Sequence, residues 1–319
     1  MKRYTLLILT LALAVTLSSA SAQKKNSNTN KNTEKVADEK SELDKLRDKA
    51  ARGDAEAMLN LGKAFYSGTL GAEQDYKKAA KWFADAAEVE TAEAEPFSAE
   101  AKGWLGLLYY NGEGVKQDAN KAMNLFLRAT KHGFTGLVET FDEMAKEGDL
   151  FACKFMQECY NKGVGVKRNT DKAAEYQRLA ADAGDEDSYF PVAMNLYNAN
   201  RHGEAFKYFE KATKLENIKA AYFYGLMLFD GDEGVEQDKE KGLRYLQKAA
   251  DTGHVAANLK LGESYLYGNG VEMDKTKGAL MVKVAAEKSN NAVRKFFKDG
   301  RFVIAKDGKF FNASGAEVK

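Results

Sequence analysis

Proline, cysteine and histidine are scarce in this chain: 319 residues hold two prolines, two cysteines and three histidines. So little proline leaves long stretches free to be helical, because proline removes a donor and breaks helix interiors. The two cysteines, Cys153 and Cys159, stand six residues apart. If Ala152 to Tyr160 is one helix, they are separated by about 240° around its axis and about 9 Å along it. A disulfide needs Cα atoms within roughly 7 Å, so the pair should stay reduced and read as two small buried residues. His132, His202 and His254 each lie beside a glycine, with no cysteine or carboxylate at ligand spacing, which removes the usual zinc patterns. Excess charge of either sign is missing as well. With 48 Lys and Arg against 47 Asp and Glu, the formal net charge of +1 gives no electrostatic case for nucleic acid or an anionic membrane surface.

Chemistry-bearing motifs are equally thin. There is no nucleophile elbow, phosphate loop or dinucleotide fingerprint. The acidic stretch Asp230-Gly231-Asp232-Glu233-Gly234 opens like a calcium loop. Its fifth, sixth and twelfth positions are Gly234, Val235 and Lys241, where such a loop needs an oxygen ligand, glycine and glutamate. It reads as an ordinary loop between helices. The sequence therefore offers no catalytic, cofactor-binding or metal-binding residue, and it singles out no partner-binding one. No enzyme activity is expected from it.

What the chain has in abundance is repetition. AYFYGLMLFDGDEGVEQDKEKGLRYLQKAADTG from Ala221 and LKLGESYLYGNGVEMDKTKGALMVKVAAEKS from Leu259 are two copies of one pattern, with Asp238 and Asp274 thirty-six residues apart. Related copies run from Leu61 to Ala87, Leu105 to Gly133, Phe155 to Gly184 and Ala193 to Thr213, giving about six units. The Phe155 copy has lost its first glycine and is expected to carry one extra loop residue; the Ala193 copy has a shortened loop. Insertions at EVETAEAEPFS and FTGLVETFDEMAKEG separate three of the units. A period of this length marks an array of helical hairpins, each unable to bury its apolar face alone.

The last unit shows the physics of one hairpin. Ala257, Leu261 and Tyr265, with Ala256, Leu259 and Gly262, fall at helical spacing and form an apolar stripe. Gly262 lets a neighbouring helix approach, and Tyr267-Gly268-Asn269-Gly270-Val271 ends the helix. Asp274 is placed to cap a second helix, whose buried stripe is expected to be Leu280, Val284 and Ala285.

The pattern LGxxYxxGxGVxxDxxKA resembles the Sel1-type repeat, a relative of the tetratricopeptide repeat, over roughly residues 48–292. The resemblance is carried most specifically by Gly106, Gly112, Gly114, Val115, Asp118 and Ala122, and by Gly262, Gly268, Gly270, Val271, Asp274 and Gly278. It implies an all-α fold, a right-handed α-solenoid of antiparallel helix pairs serving as an adaptor or scaffold for other proteins. Between Tyr197 and Glu204, where the glycine loop is missing, the chain resembles a tetratricopeptide unit instead. Penicillin-interacting activity has been attributed to some exported, cysteine-rich relatives, so a cell-wall or β-lactam-interacting hydrolase is the alternative by analogy. Their regularly spaced cysteines are absent here, and a Ser-x-x-Lys pair, Ser21 to Lys24, straddles an expected cleavage site.

That cleavage site belongs to the first segment. Lys2 and Arg3, an apolar run from Tyr4 to Leu17 and Ala20-Ser21-Ala22 read in order as a secretory signal peptide over 1–22, whose removal takes the net charge from +1 to −1. No cysteine follows the apolar run to take a lipid anchor. Residues 23–40 are almost free of apolar side chains and are expected to be a disordered tether. Folding should begin near Ser41, where Ser41-Glu42-Leu43-Asp44 has capping-box character, and the array should fill 41–298. Beyond it, residues 299–319 place Phe302, Val303, Ile304, Phe310 and Phe311 around Asp307-Gly308, a hairpin signal. An isolated hairpin is marginal in water, so this tail should either cap the array or bind a partner. The function expected is a periplasmic or secreted adaptor that holds a peptide or protein partner on the solenoid surface, with no cofactor, no nucleic acid and no stable membrane span after processing.

Overall fold

The computed structural model describes residues 41–288, 303–304 and 310–311. The expected signal peptide, the tether, residues 289–298 and most of the tail lie outside the described residues. Fourteen helices occur among those described, and the chain divides into two compact units, one ending at Ala183 and one beginning at Gly184.

In the first unit α1 (Glu42–Ala50) starts at Ser41, whose hydroxyl accepts the Asp44 N–H at 3.2 Å, as the capping pattern predicts. Three antiparallel pairs follow: α2 (Ala55–Ser67) with α3 (Tyr76–Ala87), α4 (Glu95–Asn111) with α5 (Ala119–Lys131), and α7 (Leu150–Lys162) with α8 (Thr170–Asp182). The segment FTGLVETFDEMAKEG, expected only as an insertion, forms a helix of its own, α6 (Gly136–Lys146), packed against α7. Leu137, Phe141, Met144 and Ala145 recur at helical spacing and are buried; the Phe141 ring lies 4.4 Å from Phe155 and 5.1 Å from Phe126. The other insertion lengthens α4 to 17 residues, with Pro96 in its first turn, where a missing N–H costs nothing.

The second unit holds α9 (Glu186–Asn198) with α10 (His202–Lys214), α11 (Ile218–Asp230) with α12 (Lys239–Asp251), and α13 (Val255–Tyr267) with α14 (Lys275–Lys288). The first of these pairs turns in three residues, with Asn200 left-handed at φ 57°, which is the short tetratricopeptide-like turn read from the sequence.

Every long loop is closed in one way. The first helix ends on a glycine of positive φ: Gly68, Gly112, Gly163, Gly231 or Gly268. The residue that caps the second helix returns its own N–H to the carbonyl three residues before that glycine. Asp75, Asp118, Asn169, Asp238 and Asp274 reach Phe65, Tyr109, Tyr160, Leu228 and Tyr265 at 2.8 to 3.0 Å. The same capping side chains accept the N–H of Lys78, Lys121, Lys172, Lys241 and Lys277 at 2.9 to 3.0 Å. The cap of α8 corrects the sequence reading. It is Asn169, which stands as far after Gly163 as Asp118 does after Gly112, so the third loop lacks the extra residue expected of it.

In four of the six pairs glycine sets the distance between the two helices. A Cβ on Gly62 would stand 2.4 Å from the Phe83 ring and one on Gly106 2.9 Å from Phe126. In the second unit glycines face each other: a Cβ on Gly225 would meet the Gly242 carbonyl at 2.9 Å, and one on Gly262 the Gly278 carbonyl at 3.0 Å and Val282 at 2.7 Å. That contact corrects the stripe expected for α14. Gly278, Ala279, Met281, Val282 and Ala285 face the core, and Leu280 is 60% exposed, because the face fixed by Gly278 lies about 200° around the helix from Leu280.

Outside the helices, β1 (Val303–Ile304) pairs antiparallel with β2 (Phe310–Phe311), Val303 opposite Phe311. The hairpin as a whole, and any cap it forms, lies outside the described residues. No described helix is long and apolar enough to cross a membrane.

The close contacts predict that Gly106→Leu and Gly262→Leu each destabilise the protein by about 1 to 3 kcal/mol, since overpacking displaces helices. Gly262→Leu should cost more, because it meets backbone where Gly106 meets a ring that can shift. Denaturant midpoints equal to that of the parent would reject the packing role.

Candidate interaction surface

No group of three or more His, Cys, Asp and Glu side chains that could hold a metal occurs among the described residues. The carboxylates of the acidic loop are engaged by protein side chains instead: Asp230 pairs with Lys260 at 2.7 Å and Asp232 lies 2.6 Å from His202 Nδ1. Cys153 and Cys159 sit on one unbroken helix, buried and unbridged. Burial pushes their thiols up to about 11 and about 12, the opposite of an activated nucleophile.

Two of the histidines meet carboxylates far along the chain rather than at ligand spacing. His132 Nδ1 lies 3.0 Å from Glu95, 37 residues away, and His202 pairs with Asp232, 30 residues away. Glu95 begins α4, in the same helix pair as His132, and Asp232 lies in the loop of the pair that follows His202, so both are beyond any local ligand spacing.

The loops form the most regular surface feature. The lysine three residues after each cap, whose N–H the cap accepts, turns its ammonium over an aromatic ring of the first helix. In the first unit Lys78 covers Phe65 at 5.4 Å, and Lys121 and Lys172 cover Tyr109 and Tyr160, each at 5.1 Å. In the second unit Lys241 covers Tyr224 at 5.5 Å, and Lys277 covers Tyr265 at 4.0 Å with its ammonium 2.6 Å from the phenol oxygen. Such contacts contribute about 0.5 to 1 kcal/mol at exposed sites. One residue before the cap, Gln74 and Gln117 donate their side-chain amides to the Tyr66 and Tyr110 carbonyls at 2.9 and 2.8 Å. Two shallow clefts open beside these groups, one flanked by Phe65, Gln74 and Lys78, the other by Tyr109, Gln117 and Lys121. The repeated D-x-x-K spacing was the sequence signal for this row, which the sequence reading did not use.

The long loops of the first unit rest on the helices that precede them. A Cβ on Gly114 would stand 2.3 Å from the Tyr76 backbone, so the second loop lies on the start of α3. Gly165, one loop on, meets Thr130 and Val138 instead, because α6 intervenes. In the second unit Gly234 lies on Gly203, and Lys239 reaches Asn269 at 2.9 Å.

These features define a class: an all-α protein of tandem antiparallel helix pairs with capped, glycine-ended loops. The Sel1 repeat family matches residues 55–88, 99–134, 152–185, 200–217, 218–254 and 255–290, more than half of the chain. The chain belongs to the Sel1 repeat family. Its fourth match covers α10 alone, where the sequence departs toward a tetratricopeptide unit. Among curated proteins, the ERAD-associated E3 ubiquitin-protein ligase component HRD3B of Arabidopsis thaliana is 26% identical, over 76% of this chain and 43% of that protein. An uncharacterized Sel1-like repeat-containing protein of Schizosaccharomyces pombe is 24% identical over 76% of this chain and 35% of its own length. An uncharacterized protein of Neisseria meningitidis serogroup B is 24% identical over 54% and 48%. The chain thus spans less than half the length of these relatives. Of solved structures, a protective antigen of uropathogenic Escherichia coli strains displaying an SLR fold is 21% identical, with 81% of this chain and 67% of that one covered at a TM-score of 0.41. A Sel1 repeat protein from Oxalobacter formigenes is 23% identical, with 78% and 100% covered at 0.37. Sel1 repeat proteins are protein-interaction scaffolds.

His254 ties two helix pairs of the second unit together. It is the N-cap of α13, its Nδ1 accepting the Ala257 N–H at 3.3 Å, and its ring stacks 4.6 Å from Tyr222. Burial, and then the Lys219 charge, lower its pKa. Only an unprotonated Nδ1 can accept that bond. The unfolded chain therefore takes up this proton first as pH falls, and the stabilisation is complete above about pH 6.5 and lost as pH drops through the lower folded-state value. Unfolding midpoints measured between pH 7.5 and pH 5 should fall less for His254→Asn, which keeps a cap acceptor without a titrating ring, than for the parent. Parallel pH profiles would assign the loss to other groups.

Proposed function

We propose that this protein is a non-enzymatic scaffold of the cell envelope, periplasmic or secreted, that holds a peptide or protein partner on the surface of its repeats. The observation that carries the reading is the loop row, with lysines at corresponding positions of successive long loops each held over an aromatic ring of the first helix. Fixed side chains lower the entropy lost on binding, and lysine over tyrosine presents cationic and aromatic surface at one point. HRD3B, named as a ligase component, is a relative that works within an assembly, which favours a partner-holding role. The hydrolase alternative rests on family analogy alone and is not carried further.

Export rests on the order of charged, apolar and small residues in 1–22. The tail is proposed to cap the array through Phe302, Phe310 and Phe311, since the last helix presents Leu280 at 60% exposure and the loop before it Met273 at 58%.

Two measurements test this. Mass analysis of protein recovered from envelope extracts should give Gln23 as the first residue; an intact 1–22 segment would reject processing. A partner captured by the parent should be lost, or its recovery reduced at least tenfold, with the Lys78, Lys121 and Lys172 to Gln triple variant, provided that variant unfolds at a similar temperature. Equal recovery by both proteins would remove the loop row from the binding surface.

A further inference from the structure

A cleft of about 270 Å³ lies where the insertion after α3 meets α4 and α5, and its lining includes Glu90, Glu95, Ser98, Lys102, Arg128 and His132. Lys102 is the unusual member. It is 5% exposed, and its ammonium is held only by its own helix, donating to Ser98 Oγ at 2.9 Å and to the Ser98 carbonyl at 3.4 Å. Among the described residues no carboxylate pairs with it, and an ammonium has three donors for these two acceptors. Burial and then the Arg128 charge hold it below the ordinary lysine range, while Glu90, Glu88 and Glu95 act in the opposite sense from a distance. A buried cation without a counter-ion is costly.

The repeat does not require this residue. Four positions before the packing glycine, where α4 has Lys102, the equivalent helices have Met58, Ala221 and Asn258. Asn258 is buried there too, but it donates to the Ala250 and His254 carbonyls at 3.1 Å and is fully used within the fold. Lys102 is not. Arg128 on the facing helix forms no ion pair among the described residues, and His132 is already engaged with Glu95. One wall thus carries two cationic side chains with spare donors, in a space large enough for a molecule of a few heavy atoms.

We infer that the cleft binds a small organic monocarboxylate, its oxygens held by Lys102, Arg128 and the Ser98 hydroxyl. A single negative charge fits better than a phosphate dianion, because Glu90 and Glu95 stand on the rim and repel the second charge. This site is separate from the loop row and does not depend on it.

The test uses the full chain and three probes: propionate, propionamide and inorganic phosphate. Titration followed by amide NMR should show propionate shifting residues around Ser98, Lys102 and Arg128. Propionamide, of the same shape without the charge, should bind at least tenfold more weakly, and phosphate more weakly than propionate. Lys102→Met and Arg128→Gln should each weaken propionate at least tenfold. Lys102→Met has a second readout free of any ligand. Removing a buried unpaired charge should leave the thermal midpoint equal or higher, whereas a lysine satisfied by Ser98 would make the variant less stable. Equal binding of propionate and propionamide, tighter binding of phosphate, absence of propionate binding at 50 mM (roughly the weakest affinity worth a specific site), or a lowered midpoint for Lys102→Met would each overturn the assignment.

Discussion

The distance between the two helices of each pair governs everything built on them. Where Gly225 faces Gly242 and Gly262 faces Gly278, the helices touch backbone to backbone; where Gly62 and Gly106 face Phe83 and Phe126, a ring lies in the glycine notch instead. Either way the second helix must return within a fixed distance of the first, and that fixes the span of the loop. A cap residue can then serve twice, sending its N–H to a carbonyl of the first helix and accepting an N–H of the second. The lysine whose N–H is accepted is thereby set in place, so in four of the five long loops its side chain falls on the aromatic ring one turn before the terminal glycine; Lys241, where that position is Leu228, reaches Tyr224 a turn earlier. The lysine–tyrosine row is a consequence of helix separation rather than an independent invention of each repeat.

Where the two units differ, the difference follows from this contact. A phenyl ring in the notch links a pair to its neighbour, since Phe83 also stacks on Trp104 at 5.6 Å and Phe126 meets Phe141, Phe151 and Phe155. The first unit is therefore held by an aromatic chain running through successive pairs. A glycine–glycine notch leaves no ring between its two helices, and in the second unit successive pairs are joined by rings outside the notch, Phe206 on Tyr224, Phe209 on Phe223 and His254 on Tyr222, and by polar contacts: Lys260 to Asp230, Lys239 to Asn269, His202 to Asp232 and Asn258 to the Ala250 carbonyl.

What the sequence made legible was whatever is local. The thirty-six-residue period, the glycines that end helices, the aspartates that begin them and the cap at Ser41 are each decided within a few residues, and these are where expected and observed structure agree. The α6 segment was legible too, since Leu137, Phe141 and Met144 carry helical spacing, but as an insertion it was not tested for periodicity. The face of α14 was misassigned because spacing alone allows two stripes, and the choice between them is made by Gly262 across the pair. The third loop was misread because its length depends on which residue caps α8, and the closing bond from Asn169 to the Tyr160 carbonyl decides that. The histidine partners escaped for a different reason. At separations of 37 and 30 residues they are close to one repeat length, so the useful search in an array is at the period itself.

This division between local and periodic information also bears on where specificity resides. Groups that recur in every loop give each repeat the same chemistry, and identical sites cannot tell one ligand from another. Discrimination has to come from positions where the repeat is broken. The insertion after α3 is such a break. It starts α4 early, brings Glu95 to His132 and walls a cleft around Lys102, a cation placed where sister helices carry methionine, alanine or a satisfied asparagine. Nothing in the helix packing is served by that lysine, and its burial without a counter-ion is unfavourable to the fold. A residue that a repeat neither needs nor satisfies is best explained by what it meets from outside, and here the stable frame of the glycine-notched pairs on either side is what allows the cost to be carried.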